Sequence, residues 1–123
     1  NNLAWLLADN ANATPADLDR ALQLAQDAKN AMPNDPSVAD TLGWVMYKKG
    51  IPSAAIALFR ESIDGYPEGH PLRGTVRYHL ASAYEKNGER DRAVQELKRA
   101  LDEDSTFAER DAAEKLLKQL QAG

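Results

Sequence analysis

The sequence predicts an all-α fold, a helical solenoid, and two observations lead to it. Small residues recur at nearly equal spacing, and helix start and stop signals bracket each recurrence. Small residues at fixed helical spacing let two helices approach closely, and a unit of roughly 34 residues cannot bury its apolar face alone. Each helix pair must therefore stack on a neighbour. The three sets of small residues are Gly43, Ala55 and Ser62; Ala81, Ala93 and Ala100; and Ala4, Ala21 and Ala28.

Local signals predict where the first two helices lie. Leucines at helical spacing indicate a first helix between Asn1 and Asn10. Thr14 then supplies an N-cap, Pro15 stands at the first helical position and Asp17 at the third. A second helix therefore begins there, and we expect it to stop before Pro33.

The same start signal opens the second helix pair. Asp35 and Pro36 precede the third helix, and Gly50 supplies the turn that ends it. Pro52 opens the fourth helix, which is expected to stop near Gly65.

The third pair carries four extra residues, and we expect them to lengthen its first helix rather than form a loop. That helix should begin at His70 and end at Gly88. A sixth helix follows to about Asp102, and a capping box opens a last helix over residues 106–121, a terminal cap with one charged face. The capping box consists of Thr106 and Glu109.

Composition narrows the classes of function. The chain has 123 residues, 43% apolar and 28% charged, which is typical of one folded domain. A net charge of -4 argues against a nucleic-acid surface, because phosphate binding needs clustered Lys and Arg. The longest apolar runs are far shorter than the roughly 20 residues that span a bilayer, so we expect no membrane insertion.

The residue types and spacings give no sign of a catalytic or metal site. Cysteine is absent, and the chain has no Gly-rich phosphate loop and no nucleophile motif. His70 and His79 are nine residues apart, without the spacing of metal ligands, so His70 is interpreted as a loop or cap residue. We therefore expect no catalytic residue, no metal and no cofactor, and predict that the chain is not an enzyme.

The middle unit, from Asp40 to Pro67, contains a Leu-Gly pair, an aromatic residue one turn later, Gly between helices, and then Ala, an aromatic residue, a small residue and Pro. It resembles a tetratricopeptide repeat. The unit from His79 to Leu101 is similar, with Ala81 in place of Gly and Ser105 in place of Pro. The resemblance implies a right-handed α-solenoid of about three helix pairs plus a C-terminal capping helix. The units would form a single domain over 1–123, at about 1–35, 36–69 and 70–105.

A narrower resemblance concerns four phrases, NNLAWLL, DTLGWV, RYHLASAYEKNG and FAERDAAEKLLKQL. They are similar to the C-terminal repeats of bacterial lipoproteins of the PEP-CTERM and exopolysaccharide type. This resemblance implies a bacterial source and an envelope or periplasmic location, with the cytoplasm as the alternative.

In such a repeat, one face of the first helix packs and the opposite face lines a concave groove. Trp5 and Trp44 hold the same place in adjacent units, so together with Tyr47 and Tyr78 they would form an aromatic floor. The alternative is that both Trp side chains pack as core. The candidate groove residues are Trp5, Asp40, Thr41, Trp44, Tyr47, Lys48, Tyr78, His79, Ser82 and Glu85.

Some members of the family bind an acidic C-terminal tail through a clamp of Lys, Asn and Arg. The corresponding positions here offer no cationic pair to meet a carboxylate, which argues against that ligand. These positions hold Asn1, Trp5, Thr41, Thr75 and His79.

Two functions are left open. The first is a protein-interaction scaffold that binds a peptide or helix of a partner in the groove. The second is a structural end-cap or spacer of a longer repeat array, or the non-catalytic arm of a larger enzyme. We interpret the chain as part of a longer protein, and expect Leu6 to be exposed and the N-terminal face to self-associate weakly.

Overall fold

The computed structural model describes residues 2–103 and 107–122, and within these ranges the chain forms seven α-helices and no β-strand. The all-α helical-repeat class is therefore confirmed. The chain divides into two compact units, unit 1 (Asn1–Gly65) and unit 2 (Tyr66–Gly123). The helices are α1 (Asn2–Asp9), α2 (Pro15–Ala31), α3 (Pro36–Lys48) and α4 (Pro52–Gly65) in unit 1, and α5 (Leu72–Lys86), α6 (Arg90–Glu103) and α7 (Arg110–Ala122) in unit 2.

The helix starts of unit 1 follow the local signals. The Thr14 hydroxyl accepts the backbone N–H of Asp17 at 3.1 Å, and the Asp17 carboxylate accepts the backbone N–H of Thr14 at 3.0 Å. At α3, the Asp35 carboxylate accepts the backbone N–H of Ser37 at 2.9 Å and its hydroxyl at 2.7 Å. Each bond from a backbone N–H satisfies a donor that the start of a helix leaves without an intrahelical partner. Both predicted N-caps are thus confirmed.

Glycine makes the turn between the two helices of a pair. Gly50 follows α3 with φ 83° and Gly88 follows α5 with φ 80°. Residues with a side chain rarely adopt this left-handed conformation, so both positions favour glycine. The two predicted stops are confirmed.

Small residues line the contacts between helices in unit 1. A Cβ atom added to Gly43 would lie 2.7 Å from a ring atom of Phe59, whose side chain is fully buried in α4. The Ser62 hydroxyl donates to the backbone carbonyl of Pro36 at 2.7 Å, so this small residue also links α4 to the start of α3. Of the nine repeated small residues, Ala28 is half-buried and the others are buried.

The start of α5 lies two residues after the expected one. The helix begins at Leu72, and the backbone N–H of Leu72 donates to Nδ1 of His70 at 3.1 Å. The His70 ring stacks on Tyr66 with 4.5 Å between ring centroids. Two of the four extra residues therefore lie in the helix, which is about half a turn. Pro71 is the N-cap residue, and His70 just before it accepts the backbone N–H of the first helical residue.

The last helix begins later than predicted. The expected bounds were 106–121, with a capping box of Thr106 and Glu109, but α7 begins at Arg110. Glu109 instead accepts a hydrogen bond from the Thr75 hydroxyl at 2.9 Å. Phe107 is buried against α5, and a Cβ atom added to Gly74 would lie 2.6 Å from its ring. The capping-box residue Thr106 lies outside the described residues, as do Asn1 and Ser105.

Unit 2 is held together by charged side chains as well as apolar ones. Arg77 of α5 donates to Glu96 at 2.8 Å and to both carboxylate oxygens of Glu103 at 3.0 Å. The side chains of Arg77 and Glu96 are each about 10% exposed. Such a buried pair is stable only when its hydrogen bonds are complete. Arg77 therefore joins α5 to the middle and to the C-terminal end of α6.

Among the helices of the described residues, none is both long enough and apolar enough to cross a membrane.

Candidate functional site

Three aromatic side chains of unit 1 form one stack, which we call the aromatic stack (Trp5, Trp44 and Tyr47). The ring centroids of Trp5 and Trp44 are 5.3 Å apart with 20° between the ring planes. Those of Trp44 and Tyr47 are 5.1 Å apart with 19° between the planes. Near-parallel rings at this separation give a favourable aromatic contact in addition to the area they bury.

The stack exists because α1 and α3 are in register. Trp5 directly follows the buried Ala4, and Trp44 directly follows the buried Gly43. Since these small residues occupy equivalent places, the next residue of each helix leaves its backbone in the same direction. Tyr47 lies three residues after Trp44 and so shares its helix face.

Polar groups fix the orientation of Trp44. Its indole N–H donates to the Asp9 carboxylate at 3.2 Å, which joins α3 to the end of α1. The ammonium group of Lys48 lies 5.1 Å from the ring centroid of Trp44, where the negative ring face attracts a cation. Trp44 is thus held by contacts along its edge and on its face.

The stack lies between core and surface. Trp5, Trp44 and Tyr47 are all partly exposed, and Trp44 also packs against the buried apolar cluster of unit 1. One side of the stack therefore contributes to folding while the rest stays open to solvent. This arrangement lies between the two alternatives that the sequence left open.

The other candidates in unit 1 differ in exposure. Asp40 and Lys48 are half-buried on the helix that carries Trp44. Thr41 is buried, and its hydroxyl donates to the backbone carbonyl of Ser37 at 3.0 Å. Its hydrogen bond is made within α3, so Thr41 supports the helix beneath the surface.

In unit 2, two of the four candidates are buried. His79 and Ser82 are 4% and 7% exposed, and the Ser82 hydroxyl donates to the backbone carbonyl of Tyr78 at 3.0 Å. Tyr78 is half-buried and Glu85 is exposed, so these two offer side-chain surface. The expectation that His79 is an open polar contact differs from its burial here.

Sequence reasoning missed the charged cluster of Arg77, Glu96 and Glu103. The partners lie 19 and 26 residues from Arg77, on another helix, and no local pattern links residues at those distances. Burial alone would raise the pKa of Glu103, but hydrogen bonding and charge from Arg77, with a smaller contribution from Arg73, hold it below its usual value. The cluster is internally paired, so its role is to join helices.

Residues 2–103 and 107–122 contain no group of three or more His, Asp or Glu side chains arranged to hold a metal ion. What the candidate site offers is contact area and hydrogen bonding.

Comparison with known proteins gives one match. Residues 75–106 match the family model described as tetratricopeptide repeat, over a range that takes in most of α5 and all of α6. A search of curated proteins finds no match. Tetratricopeptide repeats generally mediate protein–protein interaction and are typically non-catalytic. The helix-pair architecture and the matched range together show that the segment containing α5 and α6 is similar to a tetratricopeptide repeat.

Proposed function

We propose that this chain is a protein-interaction scaffold, and that the aromatic stack of unit 1 binds a short peptide or helix of a partner protein in a concave groove. The observation that carries the proposal is the partial exposure of three stacked rings on one face of α1 and α3. Aromatic residues dominate binding hot spots because they offer a large rigid area at low entropy cost.

Charge favours a basic partner. Residues 1–65 contain eight Asp and Glu against five Lys and Arg, and Asp9 and Asp40 stand one turn from Trp5 and Trp44. The contact between Lys48 and Trp44 is an internal example of a cation held on a ring of the stack. A segment with Arg or Lys side chains would match both features, and acidic tails would not.

Unit 2 supplies two further candidates for the same function, Tyr78 and Glu85. Both have exposed surface, and Glu85 adds another acidic group. We propose that they offer contacts to a partner within unit 2, whereas Thr41, His79 and Ser82 are buried and offer little surface.

The test uses peptides and the protein's own fluorescence. Trp5 and Trp44 are the two tryptophans of the chain, so its tryptophan emission reports the stack. Random peptides displayed on phage are selected on the full chain, and the enriched sequences are synthesised and titrated by fluorescence. We expect enrichment in Arg and Lys and affinity that falls with added salt.

Substitutions decide whether the stack is the binding surface. Trp44→Ala and Tyr47→Ala should each weaken peptide binding by about 2 kcal/mol or more, and Gln95→Ala, at an exposed position of unit 2, should leave it unchanged. Tyr78→Ala tests unit 2 separately. Equal affinity for the wild type and both unit 1 variants would contradict the proposal, as would a large loss of stability with no loss of binding.

A second candidate function is a structural end-cap or spacer of a longer repeat array, or the non-catalytic arm of a larger enzyme. The observation in its favour is α7, which packs on α5 and α6 while Asp111, Lys115 and Lys118 face solvent. Failure of the peptide selection to enrich any sequence would favour this function. The envelope location implied by the narrower resemblance to bacterial lipoproteins stays a prediction.

A further inference from the structure

A second surface of unit 1 is apolar and open. It consists of Leu3 and Leu6 on α1, and we call it the α1 outer face. The side chains of Leu3 and Leu6 are 47% and 66% exposed. Two exposed leucines one turn apart on a helix indicate a face without a partner in the described structure.

The internal repeat identifies what such a face contacts. Each residue of α1 corresponds in the repeat to the residue 39 positions later in α3. Leu3 thus corresponds to Leu42 and Leu6 to Val45. In α3 these positions are 7% and 0% exposed, so the same repeat positions are buried in one helix and open in the other.

The fully buried residues that share a cluster with Leu42 and Val45 are alanines, and larger, partly buried side chains such as Leu7 and Leu22 pack around them. Leu42 and Val45 belong to one apolar cluster with four alanines of the preceding helix pair, and α3 packs on both of its helices. Alanines let the larger side chains of α3 approach the backbones of α1 and α2 closely. The four alanines are Ala4, Ala8, Ala21 and Ala25.

We propose that the α1 outer face is a docking surface for an antiparallel helix pair that presents an alanine-lined face, of the kind that α1 and α2 present to α3. Leu3 and Leu6 insert into that face as Leu42 and Val45 do one repeat later. This surface is distinct from the aromatic stack and does not depend on the function proposed for it.

The structure disfavours a second copy of the chain as the occupant. To present an equivalent face, the copy would use its α5 and α6. In unit 2 the helix that packs on both α5 and α6 is α7, in the way that α3 packs on α1 and α2. A second copy would have to displace α7 and expose its fully buried Ala113.

The experiment supplies a helix pair of the required chemistry. A second copy of residues 1–39 is fused directly ahead of residue 1, which keeps the 39-residue register and presents the alanines of the added pair to the α1 outer face. Amide hydrogen exchange of residues 2–9 is then compared between the chain and the extended chain. We expect exchange in this helix to slow by about tenfold or more, because docking removes its local opening.

One substitution gives the matched control. Leu6→Asp should change the thermal midpoint of the original chain little, since the side chain is largely exposed. The same substitution at the corresponding leucine of the extended chain should abolish the added protection. Equal effects in both chains would overturn the proposal, and so would an added copy that stays unstructured.

Sedimentation velocity of the original chain tests whether a second copy of the chain occupies the α1 outer face instead. The proposal expects a monomer or only weak association. A stable dimer that Leu6→Asp dissociates would show that a second copy occupies the face, and the assignment to a helix pair would then be wrong.

Discussion

The close contact between Gly43 and Phe59 predicts that a single methyl group destabilises unit 1. A Cβ at position 43 would lie 2.7, 2.8 and 3.2 Å from three atoms of the Phe59 ring. Ordinary contacts between carbon atoms lie at about 3.5–4.0 Å. The ring is fully buried, so it cannot turn into solvent to make room.

Two opposing effects decide the sign for Gly43→Ala. Replacing glycine by alanine within a helix stabilises it by about 0.5–1 kcal/mol. Overpacking a buried contact costs about 1–3 kcal/mol. We therefore expect a net loss of roughly 1 kcal/mol in the free energy of unfolding of unit 1.

The other helix pairs indicate how the loss can be repaired. In the third pair, Ala81 stands where Gly43 does and Leu97 stands where Phe59 does. Both are buried, so an alanine is accommodated there opposite a smaller side chain. Adding Phe59→Leu to Gly43→Ala should consequently recover part of the stability, with a coupling of about 1 kcal/mol between the two sites.

Urea unfolding followed by tryptophan fluorescence measures this directly, because both tryptophans belong to unit 1. The four chains of the double-mutant cycle are compared at one pH and temperature. If Gly43→Ala stabilises the protein and the two substitutions act additively, the inferred packing of α3 on α4 is wrong.

Three further predictions concern unit 2. Ala93→Leu should overpack the fully buried contact of α6 with α5 and cost about 1–3 kcal/mol, measured as a lower urea midpoint by circular dichroism. Arg77→Met removes the cation that α5 supplies to Glu96 and leaves this buried carboxylate only its contact with Arg99 at 3.2 Å. The substitution should cost about 3 kcal/mol, whereas the double substitution with Glu96→Leu should cost less; an equal loss would argue against a buried pair. The interaction with Arg77 lowers the pKa of Glu103 in the folded protein. The stability from this interaction is therefore present above the unfolded pKa near 4.5 and is lost as the pH falls through the lower folded pKa. Glu103→Gln should consequently flatten the acid limb of the stability curve.

The elements that sequence reasoning located well are those with local signals. Thr14 with Asp17 and the glycines at 50 and 88 act within one turn of their own position, so a single sequence contains all the information needed. The same holds for the stacking of Trp5 on Trp44. Equal positions in two repeats that pack side by side must lie next to each other.

The elements that were missed depend on distant partners. The start of α7 is shifted because Glu109 bonds to Thr75 and Phe107 packs on Gly74, both more than thirty residues away. The sequence pattern of a capping box does not show that its acidic residue, here Glu109, bonds to a side chain of another helix. The buried bond between Arg77 and Glu96 likewise joins two helices, and an arginine that forms such a pair looks in sequence like one on a solvated face.

Helix α3 shows why the two proposed surfaces of unit 1 are linked. Leu42 and Val45 pack α3 against α1 and α2, and Gly43 lets it approach α4 closely. On the remaining face, Trp44 stacks on Trp5. The position of Trp5 in the aromatic stack therefore depends on how firmly α1 is held. A helix of eight residues has little stability of its own and relies on packing.

A helix pair docked on the α1 outer face should therefore hold Trp5 in place for a ligand of the stack. A ligand that binds an already ordered site does not bear the cost of ordering it, so its affinity rises. By reciprocity, peptide bound to the stack should strengthen docking by the same factor. The extended chain should accordingly bind a selected peptide more tightly than the original chain, and Leu6→Asp at the docked face should remove the gain. Equal affinities in the presence of a docked pair would show that α1 is already fully ordered, and that the two surfaces of unit 1 act independently.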